Sequence, residues 1–111
     1  MAAKTILIQS ESLGRGDETL GKLLMANFLR LLGDSAEKPE ALIFWNAGVR
    51  LLAEGSPVLE HIKKLEGRGV EILACTTCLE YFEIKEKIKA GKPTTMARSI
   101  ESMLNKNVVC L

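Results

Sequence analysis

Cys75 and Cys78, in the run Cys75-Thr76-Thr77-Cys78, are the side chains of this protein best suited to covalent chemistry. They stand where the apolar run Val70-Glu71-Ile72-Leu73-Ala74 ends and a helical pattern opens at Leu79. A cysteine at the first turn of a helix faces unpaired backbone N–H groups and the positive end of the helix dipole, and both favour thiolate over thiol. Since the thiolate is the nucleophile, this placement points to a sulfur carrier, a redox pair or half of a metal site. The competing reading is a pair of small buried hydrophobes at a strand and helix junction. Cys75, at the strand end, is the expected carrier, and Cys78, about one turn further in, would share its face. A thiolate can take the terminal sulfur of a donor persulfide as Cys–S–SH. A second thiol can then attack the loaded cysteine, releasing sulfide and leaving a disulfide.

Elements that would hold this pair follow from hydrophobic periodicity. Four runs read as buried strands: Thr5 to Gln9, Ala41 to Asn46, Gly69 to Ala74 and Asn107 to Leu111. They are near-continuous in apolar residues except at Glu71, as in a parallel sheet covered on both faces. Between the first two, Glu18 to Leu32 carries Leu20, Leu23, Leu24, Phe28, Leu31 and Leu32 at helical spacing, with Asp17 to cap its start and Gly33 to stop it. Ser56 and Pro57 open a second helix, which would bury Val58, Leu59, Ile62 and Leu65 and end at Gly67. The third helix is expected over Leu79 to Ala90, ending at Gly91, and the fourth over Thr95 to Asn105, presenting Met96, Ile100, Met103 and Leu104. Strands alternating with helices imply βαβ units and a three-layer α/β/α sandwich with a mainly parallel sheet. Cys110 falls in the last apolar run and reads as core.

Open α/β sheets bind ligands beyond the carboxyl ends of their strands, so three loops should meet there. Ser10-Glu11-Ser12-Leu13-Gly14-Arg15-Gly16 follows the first strand, Asn46-Ala47-Gly48-Val49 the second, and the cysteine motif the third. Gly14 and Gly16 permit positive φ, and Arg15 between them could hold an anionic group or lower a thiol pKa; the alternative is a flexible turn with a solvated Arg. Asn46 could contact a ligand or close its own turn through its side chain. Arg15, Asn46, Thr76 and Thr77 therefore form the expected binding set around Cys75 and Cys78.

Composition limits the alternatives. The chain has 111 residues, 47% hydrophobic, which suits one domain over residues 1–111 with a single core. A net charge of +1 gives no electrostatic case for nucleic acid or an anionic membrane. The N-terminal apolar stretch is too short for a signal or a span, so the expected location is cytoplasmic, where thiols stay reduced. Zinc needs about four ligands, and beyond the motif only Cys110 and His61 remain, far away in sequence. His61 is the one histidine and reads as helix surface rather than a catalytic base. A thioredoxin-like dithiol is the serious chemical rival, although its motif would follow an earlier strand.

Gly14-Arg15-Gly16-Asp17-Glu18, Leu20-Gly21, Phe44-Trp45-Asn46-Ala47-Gly48-Val49, Glu54-Gly55-Ser56, Val58-Leu59, Leu65-Glu66 and Gly69-Val70-Glu71-Ile72 before Cys75 to Leu79 together resemble the DsrE/DsrF-like sulfurtransferase-related family. The nearest pattern is the DsrE-like domain of YedF-type selenium metabolism proteins, which usually follows a TusA-like domain and carries Gly where Thr76 stands here. The resemblance implies a DsrE-like sandwich, a persulfide carried on one cysteine and no resident cofactor. It also implies sulfur donor and acceptor proteins, TusA-like ones among them, and a homo-oligomer, trimer or hexamer. A noncatalytic DsrE-like binding or assembly subunit is the alternative.

Overall fold

A computed structural model describes residues 4–111. Five strands, β1 (Lys4–Ile8), β2 (Ala41–Phe44), β3 (Glu71–Cys75), β4 (Lys92–Thr94) and β5 (Asn107–Cys110), form one sheet in the order β4-β3-β2-β1-β5. Every pairing is parallel. The helices are α1 (Glu18–Asp34), α2 (Leu59–Gly67), α3 (Thr76–Tyr81) and α4 (Met96–Asn105), and a 3₁₀ segment runs over Asn46–Leu52. The expected α/β architecture is therefore present.

Alternation along the strands divides the core into two layers. Ile6, Ile8, Leu42, Phe44, Ile72 and Ala74 point to one face, where α1, α2 and the 3₁₀ segment add Met25, Leu29, Val49, Leu52, Ile62 and Leu65. On the opposite face Leu7, Ile43 and Leu73 meet Trp45, Met103 and Val108, so α4 alone forms the thinner third layer. Burying a side chain such as Phe44 or Leu42 completely contributes about 1.5–3 kcal/mol. Glu71 Oε2 helps to hold the thin layer, with Arg98 of α4 at 3.1 Å and Lys92 of β4 at 3.5 Å.

Asp17 caps α1 as expected, its Oδ1 accepting the Leu20 N–H at 2.8 Å. The helix continues through Gly33 to Asp34 because its buried row is Gly21, Met25, Leu29 and Gly33. Leu20, Leu23, Leu24 and Leu31 stay more than 40% exposed. Ser56 Oγ accepts the Val58 N–H at 3.3 Å, but Ser56 and Pro57 form a preceding turn and α2 begins at Leu59.

Three expectations need correction. The helix foreseen over Leu79 to Ala90 stops at Tyr81, and Glu83 at φ 57° turns the chain. Ile84 and Ile88 still reach the core, through a turn and a bridge between Ala53 and Ile88, so their four-residue spacing imitated a helix. β4 was not foreseen at all. Lys92-Pro93-Thr94 is polar and contains Pro, which an edge strand tolerates and a central one does not. Finally, Cys110 is exposed rather than core, because β5 is the opposite edge strand and only α4 lies over it.

Candidate functional site

The site lies beyond the carboxyl ends of β2 and β3. Cys75 closes β3, pairs in register with Thr94 of β4, and immediately precedes α3. Thr76 Oγ1 donates to the Thr94 carbonyl at 2.9 Å, tying the start of α3 to the sheet edge. Thr76 is thereby a structural tie, while Thr77 faces outward. Asn46, Thr77, Cys78, Tyr81 and Phe82 line a pocket of about 410 Å³. Tyr81 and Phe82 meet edge to face, with ring centroids 5.3 Å apart, and form its aromatic side.

The two thiols differ in access. Cys75, expected from sequence to be the carrier, is 4% exposed, whereas Cys78 is half-buried and forms part of the pocket wall. The reason is α3, which starts one residue after Cys75 and carries Cys78 up to the opening while the strand end stays packed in the sheet. Burial pushes the Cys78 thiol above its ordinary pKa; the Asn46 backbone N–H, donating to Sγ at 3.1 Å, opposes this, and the neighbouring Cys75 thiol adds to the rise. Cys78 is therefore a protonated thiol at neutral pH, with one fixed donor ready to stabilise negative charge on sulfur.

Asn46 closes its own turn, one of the two roles foreseen for it, and meets the cysteine motif through its backbone. Its side-chain Oδ1 accepts the Ala47 N–H at 2.8 Å, closing its own turn, while its backbone N–H serves Cys78. It holds φ at 50°, a left-handed conformation that asparagine tolerates better than most residues. The next turn of the 3₁₀ segment approaches β1 so closely that Gly48 has no room for a side chain: an added Cβ would lie 2.5 Å from the Ile8 carbonyl oxygen.

Arg15 does not join the site. Gly14 and Gly16 have positive φ as expected, but Arg15 is exposed and makes no hydrogen bond or ion pair among the described residues. The loop instead folds back on α1, with the Leu13 N–H bonded to the Gly21 carbonyl at 2.9 Å. Its charged contribution is Glu11, 3.5 Å from Nη1 of Arg50. Arg50, which sequence reasoning passed over, places its guanidinium carbon 4.2 Å from the centroid of the Phe82 ring. No local motif marked it; the one signal was its place directly after the Asn46-Ala47-Gly48-Val49 loop already singled out. His61 is half-buried on α2 and does not line the pocket. Among the described residues no group of three or more His, Cys, Asp or Glu is arranged to hold a metal ion, and no helix is long and apolar enough to cross a membrane.

Comparison with solved structures defines the class of fold. The crystal structure of the YchN protein of E. coli matches over 100% of both chains with a TM-score of 0.76 and 14% sequence identity. MTH1491 of Methanobacterium thermoautotrophicum, a protein of unknown function, matches over 100% of both chains at TM-score 0.72 and 17% identity. BT1422 of Bacteroides thetaiotaomicron, a conserved protein of unknown function, matches over 99% of this chain and 95% of its own at TM-score 0.73 and 20% identity. The chain has the YchN-like, DsrE-like fold. No family model and no curated protein matches it.

Proposed function

We propose that this protein handles sulfane sulfur, carrying it as a persulfide on Cys78 with Cys75 as the resolving thiol, in the manner of a DsrE-like sulfurtransferase subunit. The observation that carries the reading is the Cys78 Sγ in the wall of an open pocket, held by the Asn46 N–H at 3.1 Å with the Cys75 thiol beside it. Deprotonated Cys78 attacks the outer sulfur of a donor R–S–SH, forming Cys78–S–SH and releasing R–S⁻. An acceptor thiolate then removes that sulfur. Alternatively Cys75 attacks the inner sulfur, forming the Cys75–Cys78 disulfide and releasing HS⁻. The raised thiol pKa lowers the thiolate fraction, but a more basic thiolate is the stronger nucleophile, and the Asn46 donor is already in place. Selenium fits the same steps.

This reading carries with it a cytoplasmic setting, protein donors and acceptors of the TusA-like kind, and assembly as a trimer or hexamer. Assembly has its own support: Leu20, Leu24 and Leu31 form an exposed stripe on α1, and Met96, Ile100 and Leu104 form another on α4. Incubation with a persulfide donor followed by intact mass measurement tests the function. The protein should gain one sulfur atom, Cys78→Ser should abolish the gain, and Cys75→Ser and Cys110→Ser should retain it. Loading that survives Cys78→Ser refutes the assignment and leaves a noncatalytic assembly subunit as the better description.

A further inference from the structure

The walls of the Cys78 pocket, Asn46, Thr77, Cys78, Tyr81 and Phe82, carry no formal charge at neutral pH. A cation is nevertheless fixed against one of them. Arg50 stacks on Phe82, and two contacts thus join the 3₁₀ segment to the α3 region in step: Asn46 to Cys78, then Arg50 to Phe82 four residues further along each element. With rises of about 2.0 Å per residue in a 3₁₀ helix and about 1.5 Å in an α-helix, the two contacts lie about 6–8 Å apart. A guanidinium lying on an aromatic ring is pinned in position while its N–H edges remain available to an anion. Its present partner, Glu11, pairs with it at the surface at 3.5 Å, a weak attachment that another anion can replace.

We propose that Arg50 is a substrate-binding residue that selects small anions bearing a sulfane sulfur, thiosulfate being the simplest, for reaction at Cys78. The proposal rests on Cys78 being the loading thiol. Cys78 first gives its proton to solvent. Its thiolate then attacks the outer sulfur of thiosulfate; the Sγ–S bond forms as the sulfur–sulfur bond to the sulfonate breaks, and the bonding pair leaves with sulfite. The products are Cys78–S–S⁻ and sulfite, total charge is conserved, and no outside oxidant or reductant is consumed. Arg50 would face the sulfonate oxygens throughout. The anion-holding role that the sequence suggested for Arg15 thus falls to a different arginine.

The test compares thiosulfate with cysteamine persulfide, a donor of sulfane sulfur with a cationic tail, on the full chain, following loading by intact mass against time. Arg50→Gln should slow loading from thiosulfate by about tenfold to a hundredfold, the worth of a charge-assisted hydrogen bond, and leave loading from cysteamine persulfide unchanged or faster. Arg50→Lys should recover part of the thiosulfate rate, and Glu11→Gln should leave that rate equal or higher. Thermal unfolding of each variant monitors the fold. An Arg50→Gln protein that keeps the parent thiosulfate rate, or loses both donors equally, overturns the inference with the Cys78 reading intact, as does a parent that loads only from cysteamine persulfide. A parent that loads from neither donor overturns the Cys78 reading itself.

Discussion

Gly48→Ala should destabilise the protein strongly through a single methyl group. The 3₁₀ segment abuts the end of β1, and a Cβ at position 48 would lie 2.5 Å from the Ile8 carbonyl oxygen and 3.2 Å from its carbon. Close carbon–oxygen contacts are tolerated down to about 3.3 Å, so the two backbones must part by about 0.8 Å. Neither atom belongs to a flexible side chain that could swing away. The same Ile8 carbonyl accepts the Trp45 N–H at 2.9 Å, so displacement also strains that bond. Overpacking costs about 1–3 kcal/mol and a lost hydrogen bond about 1 kcal/mol, giving about 2–4 kcal/mol in total. For a domain of this size about 4 °C is lost per kcal/mol, so Tm should fall by about 8–16 °C in thermal unfolding followed by circular dichroism at neutral pH. Alkylation of Cys78 should accelerate as well, because the displaced segment carries Asn46, one wall of its pocket. A variant whose Tm stays within about 1 °C of the parent would show that the close approach is not a constraint, and would refute the account of how the 3₁₀ segment is seated.

Because burial raises the Cys78 pKa, the unfolded chain loses its thiol proton first as pH rises, so the Cys78 contribution to stability, complete below the ordinary thiol value, is lost as pH rises through the higher folded value. The parent should therefore lose more Tm than Cys78→Ser on going from about pH 8 to 10, and parallel curves would contradict the assigned shift. Glu71→Ala removes the carboxylate shared by Arg98 and Lys92 and should cost about 0.5–1 kcal/mol in urea unfolding, with the deficit shrinking in high salt; no deficit at low salt would show that the pair holds nothing. Under the proposed assembly the parent should scatter light as a trimer or hexamer and a variant with charge in the exposed α1 stripe, Leu24→Glu with Leu31→Glu, as a monomer; an unchanged mass would move the contact elsewhere, and a monomeric parent would refute the assembly.

The order of the main elements was legible in the chain because it depends on short-range patterns: apolar runs for strands in a covered sheet, Asp17 as a cap, glycines where φ turns positive. The loops after β1, β2 and β3 were likewise expected to converge, a consequence of parallel topology alone, and those after β2 and β3 meet through Asn46 and Cys78. What depends on pairing at a distance was not legible. β4 exists because Lys92, Pro93 and Thr94 lie beside β3, not because their own sequence favours a strand, and Cys110 is exposed because β5 ends at an edge under a single helix. Access to the thiols and the choice between Arg15 and Arg50 belong to the same category. The start of α3 directly after Cys75 carries Cys78 to the pocket, and the 3₁₀ segment, seated on β1 at Gly48, holds Arg50 over Phe82. Local propensity names the residues capable of chemistry; which of them face one another is decided by close packing, whose contacts join positions tens of residues apart.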